Sequence, residues 1–178
     1  MASPRPLPID PLAEAKRQWL AHGWTDAADG MAVVTSVMRA QQLLLGRVDA
    51  ALRPFGLSFA RYELLRLLGF SRSGRLPLSS VVARLQVHAT SVTSTAERLV
   101  RDGYVMREPH PYDGRAAMLV LTESGRTLVD QATSALNAEV FTDPGMSTDD
   151  AAELVGIVAR MRKNAGDFAD PRPQPDPL

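Results

Sequence analysis

The sequence predicts a mainly α-helical chain that carries one small β-hairpin. Two observations lead there. Over most of the 178 residues, apolar side chains recur at three and four, the period of a helix with one buried face. Between Tyr104 and Leu121 the period falls to about two. The two short runs there flank Pro109 to Gly114, which holds two prolines, an aspartate and a glycine. At 45% hydrophobic and 22% charged, the chain has enough apolar material for a real core.

In chain order, Asp10-Pro11 reads as a cap and a first-turn proline. The helix it opens runs to about His22 and carries Leu12, Ala15, Trp19 and Leu20. A long helix follows from about Gly30 to Arg53, with Met31, Val34, Met38, Leu45, Val48 and Leu52 on one stripe. Pro54 and Gly56 stop it. Ser58 caps a helix through Leu68, with Phe59, Tyr62, Leu65 and Leu68 on one side. Leu76 to Leu78 is extended and Ser79 to Leu85 is a short helix. After a break at Gln86-Val87-His88, a longer helix spans Ala89 to Asp102 and is closed by Gly103. The hairpin comes next. Thr122 then caps a helix to about Val140. Asp143-Pro144-Gly145 turns the chain, and Ser147 opens a last helix to about Asn164. The end, Asp170 to Leu178, has proline at every second position from 171 and is expected to be extended or disordered.

Short strand, short helix, tight break, longer helix and hairpin make a winged helix-turn-helix. The second helix of such a unit can enter a DNA major groove, about 12 Å wide, while the hairpin tip reaches the flanking backbone. On a helical wheel Val92, Ala96 and Leu99 fall within about 60° and form an anchoring stripe. Thr90, Ser94, Arg98 and Arg101 lie opposite, with Ser91 and Glu97 on the flanks. The alternative is that Thr90 to Thr95 is a merely solvated face. However, five hydroxyls in six residues make a poor helix on propensity, whereas they suit base edges and phosphates.

Charge is segregated within a net of zero. Residues 61–115 hold nine arginines against five acids, +4, and residues 116–178 are −5. Arginine suits forked contacts with phosphate and base edges. An ordinary solvated surface is the other reading of the same charge.

The stretch Val92 to Arg107, then Asp113-Gly114-Arg115 and Leu121-Thr122-Glu123-Ser124-Gly125, resembles the MarR family of bacterial transcriptional regulators. The similarity runs from about Gly30 to Phe141, and its most specific parts are the D-x-R of the wing and the L-T-x-x-G after it. The resemblance implies a dimeric winged-helix protein that binds double-stranded DNA at a palindromic operator, most simply a ligand-responsive repressor. It implies that Arg115 is the wing arginine that enters the minor groove and that Asp113 orients it. Thr90, Ser91 and Ser94 fall where family members contact DNA. His88, Thr93, Arg98 and Arg101 complete the candidate DNA-facing set. An inserted guanidinium also suits a narrow minor groove on physical grounds. A surface Asp113–Arg115 ion pair, worth under about 1 kcal/mol, is the plainer alternative. The chain departs from the family in carrying Ser94 where many members have arginine. Members resembling urate sensors share the helix with Trp19 but carry an aspartate where this chain has Glu63.

These readings divide the chain into dimerisation helices at 1–57, the DNA-binding winged unit at 58–122, C-terminal dimerisation helices at 123–168 and a Pro-rich tail at 169–178. Leu128, Leu136, Val140, Phe141, Leu154, Val155, Val158 and Met161 are expected to meet a second copy in a homodimer. Packing on their own subunit alone is the alternative. A small aromatic or phenolic effector is expected in a cleft lined by Trp19, Trp24, Met38, Phe59 and Tyr62, with His22 or Arg39 as polar partner.

No motif of a nucleotide-binding, hydrolytic or metalloprotease site occurs, so no enzyme activity and no cofactor are expected. Histidines 22, 88 and 110 lack metal-ligand spacing, and the absence of cysteine excludes disulfides and thiolate sites. No apolar run approaches the roughly 18 residues of a membrane helix, and Met1 to Pro8 has no apolar signal region. A cytoplasmic protein is expected. A winged helix used only for protein contacts is the rival to DNA binding.

Overall fold

The computed structural model describes residues 6–85 and 89–168, without the side chains of residues 89 and 113–115. His88 and the Pro-rich tail lie outside the described residues. Two compact units form, Met1–Gly46 and Arg47–Leu178.

In the first unit, α1 (Pro11–Ala21) begins where predicted: the Asp10 carboxylate accepts from the Leu12 N–H at 2.9 Å, and Pro11 occupies the first turn. Helix α2 (Thr25–Leu52), whose end from Arg47 onward belongs to the second unit, starts five residues before the predicted Gly30. A helix tolerates an internal glycine at about 1 kcal/mol, so Gly30 does not set its start. Lys16 and Asp29 pair at 2.5 Å between α1 and α2, and the rings of Trp19 and Trp24 meet edge-on at 5.3 Å. Only Ala28 is buried among the described residues of this unit, while Val33, Val34, Val37, Met38 and Leu43 stand exposed.

The second unit holds α3 (Phe59–Phe70), β1 (Arg75–Pro77), α4 (Leu78–Leu85), α5 (Ala89–Arg101), β2 (Val105–His110), β3 (Asp113–Leu121), α6 (Glu123–Leu136) and α7 (Thr148–Asn164). The Ser58 hydroxyl accepts from the Arg61 N–H at the start of α3, as its place in the sequence predicts. The predicted extended piece at 76–78 becomes β1 and joins the hairpin in an antiparallel sheet of order β1-β3-β2, with Leu76 opposite Leu119 and Arg107 opposite Leu119 from the other side. Leu52, Leu64, Leu65, Leu68, Val81, Val92, Leu99, Val105, Leu119, Val129 and Leu136 are fully buried in one core. Each such side chain contributes roughly 1.5–3 kcal/mol of burial.

Three expectations are corrected. The hairpin tip is shorter than Pro109 to Gly114, because pairing continues to His110 and resumes at Asp113, leaving Pro111-Tyr112 as the turn. The register shifts between Pro109 and His110, where a prolyl nitrogen cannot join the ladder. Helix α6 ends at Leu136 and widens into a π-turn over Asn137–Phe141. Leu136 and Val140, read as part of an intersubunit face, are core residues of their own chain. The widened turn is held from the end of α2: Arg47 donates to the carbonyls of Glu139 at 2.8 Å and Asp143 at 2.5 Å. Among the described residues no helix is long and apolar enough to cross a membrane, and no group of His, Asp and Glu could hold a metal ion.

Candidate nucleic-acid interface

Helix α5 is fixed from inside by Val92, Ala96 and Leu99, all buried against α3, α4 and the sheet. Its end is a Schellman turn. Gly103 takes φ +78°, its N–H donates to Val100, and the Tyr104 N–H donates to Leu99, both at 3.0 Å. Arg61 at the start of α3 donates to the Gly56 carbonyl at 3.1 Å and pairs with Asp102 just past α5. The helix is therefore a rod held at one side and one end.

The opposite flank is open. Thr90, Ser91, Ser94, Glu97, Arg98 and Arg101 are exposed. The side chains of Arg98 and Arg101 make no hydrogen bond or ion pair among the described residues. Thr93 differs: it is half-buried and lines a cleft of about 150 Å³ with Leu78, Glu97, Val100 and Arg107, between α5 and the sheet. The amphipathic division read from the sequence thus places a bare hydroxyl-and-guanidinium face on the second helix of a helix-turn-helix. His88 is outside the described residues, and so are the side chains of Asp113 and Arg115. Their backbone begins β3, directly after the hairpin turn.

The wing is stiffened by an ion pair between Arg75 of β1 and Glu108 of β2 at 2.5 Å, spanning the central strand. At its tip Tyr112 is 94% exposed, edge-on to His110 at 6.3 Å. Sequence reading passed over Tyr112. Its signal was available: it is an aromatic residue inside a turn, where nothing can bury it.

The wing returns to the helices through Leu121-Thr122-Glu123-Ser124-Gly125, and the geometry explains each fixed residue. Leu121 is core. The Thr122 hydroxyl accepts from the Gly125 N–H at 3.0 Å, capping α6, and donates to the Gly103 carbonyl at 2.9 Å. Gly125 is buried against the Tyr104 backbone. The motif locks the turn after α5 to the end of the wing.

The seven effector candidates fall into two groups. In the first unit Trp19, His22 and Trp24 come together: His22 stacks on Trp24 at 5.4 Å and its Nδ1 lies 2.8 Å from the Gln18 carbonyl. Met38 is exposed there, and Arg39 donates to Gln42 at 3.2 Å. In the second unit Phe59 stacks on Tyr62 at 6.2 Å, and Tyr62 is buried with its hydroxyl 3.2 Å from that of Thr133.

Glu63, which the sequence reading did not place at a site, lines a small cleft with Leu85, Ser91 and Thr95 beneath the first turns of α5. Partial burial raises its carboxyl above the ordinary value of 4.5. A folded-state value above the unfolded one means the folded protein binds the proton more tightly. Stability is then lost as pH rises from the ordinary range through the raised value. Glu63→Gln is therefore expected to raise the melting temperature at pH 7, with the gain vanishing below the ordinary carboxylate range. Melts from pH 3.5 to 8 test this, and a gain equal at both ends would refute it.

Comparison with known proteins agrees with the geometry. The model of the MarR family matches residues 55–116, covering the winged unit. The crystal structure of Sco5413, a MarR family transcriptional regulator from Streptomyces coelicolor, is 46% identical. The match covers 80% of this chain and 99% of that one, with a TM-score of 0.71. The chain belongs to the MarR family. It is a DNA-binding transcriptional regulator and not an enzyme. Sco3205, a MarR family regulator from the same organism solved in complex with DNA, shares the fold at 23% identity and a TM-score of 0.65, covering 81% of this chain and 90% of that one. The repressor YetL of Bacillus subtilis is 32% identical over 76 residues, 43% of this chain and 46% of its own length.

Proposed function

We propose that this MarR-family protein is a cytoplasmic, ligand-responsive repressor that binds a palindromic operator as a homodimer. The observation that carries the reading is α5: greasy flank buried, hydroxyl and guanidinium flank bare. Such a rod fits a major groove, and Arg115 on the wing fits the adjacent minor groove. A single winged unit makes few phosphate contacts, and a symmetric pair reading half-sites about 34–36 Å apart supplies the rest.

Dimerisation is supported by α7, which buries no residue within the chain and exposes Leu154, Val155, Ile157 and Met161. Exposed Val33, Val34, Val37 and Met38 on α2 add a second apolar face. An unpaired apolar surface of that kind marks an interface. The aromatic group of Trp19, His22 and Trp24 supports a flat, aromatic effector. A ligand that favours recognition helices misplaced for the groove would release DNA by population shift.

The test is a gel shift on the DNA upstream of the protein's own coding sequence, with sedimentation at the same protein concentration. A dimer of the 19.3 kDa chain that binds with steep salt dependence is expected. Absence of any salt-dependent binding would favour a winged helix used only for protein contacts, and a monomer would remove the palindrome.

A further inference from the structure

We propose that the cleft between the start of α3 and the outer flank of α5 binds a phosphate group. The cleft is open, has a volume of about 430 Å³, and is lined by Asp49, Arg53, Ser58, Arg61 and Arg98. Its three arginines play different parts. Arg61 is committed: it donates to the Gly56 carbonyl and pairs with Asp102, so it forms a fixed wall. Arg53 and Arg98 are exposed, and their guanidinium groups make no hydrogen bond or ion pair among the described residues. Asp49, the single acid of the lining, is also without a partner there.

Two unpaired guanidinium groups and one unpaired carboxylate therefore line the same open cleft as Arg61, whose charge Asp102 neutralises. A planar guanidinium matches phosphate oxygens in a forked contact. The Ser58 oxygen accepts from the Arg61 N–H, which leaves its own O–H free to donate. The first turn of α3, a helix of 12 residues, adds its positive end. Two arginines that had only to solvate this surface would gain nothing from lining one concavity with a hydroxyl donor. The phosphate can come from the DNA backbone or from a small phosphorylated molecule, and the recognising chemistry is the same. The site does not depend on the effector or dimer readings above.

The experiment uses the full chain. Melting in sodium phosphate is compared with melting in sodium chloride at matched ionic strength, for the wild type, Arg53→Gln and Asp49→Asn. Phosphate is expected to raise the wild-type melting temperature above the chloride value. Arg53→Gln abolishes the difference, and Asp49→Asn enlarges it by removing a like charge. The same proteins are titrated with upstream DNA over a range of salt. If the DNA backbone supplies the phosphate, Arg53→Gln lowers the slope of log affinity against log salt by about 0.9 for each copy on the DNA. If a small molecule supplies it, the slope stays and only the phosphate-specific melting difference is lost. Should Arg53→Gln not fold, Arg98→Gln gives the melting comparison. A melting difference that survives the arginine substitution places the anion elsewhere and overturns the proposal. So does the absence of any phosphate effect together with an unchanged salt slope. If the wild type binds no DNA, the operator reading fails by itself and the melting comparison still decides this one.

Discussion

Replacing Gly125 by alanine is expected to destabilise the protein by about 3 kcal/mol or more, at the upper end of overpacking effects. A Cβ there would lie 2.2 Å from the Tyr104 carbonyl oxygen and 2.9 Å from the Leu121 side chain. The oxygen is backbone, in the segment joining α5 to the wing, and cannot rotate away as a side-chain tip would. Relief requires the first turn of α6 to move away from the Tyr104 backbone. That breaks the contact in which Thr122 caps α6 and bonds to Gly103. For a chain of this size the loss corresponds to a fall of roughly 10 °C in melting temperature. Gly30 is the control. It is also helical, and its added Cβ meets nothing within 4 Å, so Gly30→Ala is expected to be neutral or to gain up to about 1 kcal/mol. Circular dichroism melts of both variants decide it. Equal melting temperatures would mean that Gly125 is not held against Tyr104.

The same glycine shows which features could be read from the chain. Short-range chemistry was legible. Asp10, Ser58, Thr122 and Ser147 all cap helices as their spacing predicts, because a cap is one side chain bonding an N–H two or three residues on. The split of α5 was legible because Val92, Ala96 and Leu99 share one stripe. Features set by neighbours distant in sequence were not. Leu64 is fully buried although it lies off the stripe of Phe59, Tyr62, Leu65 and Leu68, because α3 packs against α4, α5, α6 and β3 together and so has several inner sides. The π-turn after Leu136 depends on Arg47, some 90 residues earlier. The candidate interface follows the same rule. Its hydroxyls and arginines were visible as a helical face, whereas the turning of Thr93 toward the sheet and the cleft shared by Arg53 and Arg98 needed the tertiary fold.

Arg115→Ala is expected to weaken binding to every DNA sequence tested, by about 1–3 kcal/mol or roughly five- to 150-fold in Kd. The residue follows the two-residue turn of a hairpin that is braced by Arg75–Glu108, so the wing projects from a stiff base. In the proposed complex a guanidinium delivered there would meet the minor groove, where A·T and T·A look alike and groove width is what is read. Its loss should therefore change affinity far more than sequence preference, and should lower the salt slope by about 0.9 for each copy on the DNA. Ser94→Ala is the contrast. Ser94 is exposed on the bare face of α5, so its removal should alter preference at particular base pairs and leave the salt slope unchanged. Competition binding on a panel of singly substituted operators, repeated at several salt concentrations, separates the two signatures. An Arg115→Ala protein with undiminished affinity would mean that the wing does not touch DNA. A Ser94→Ala protein with unchanged preference would move base readout to Thr90, Ser91 or Arg98 on the same face.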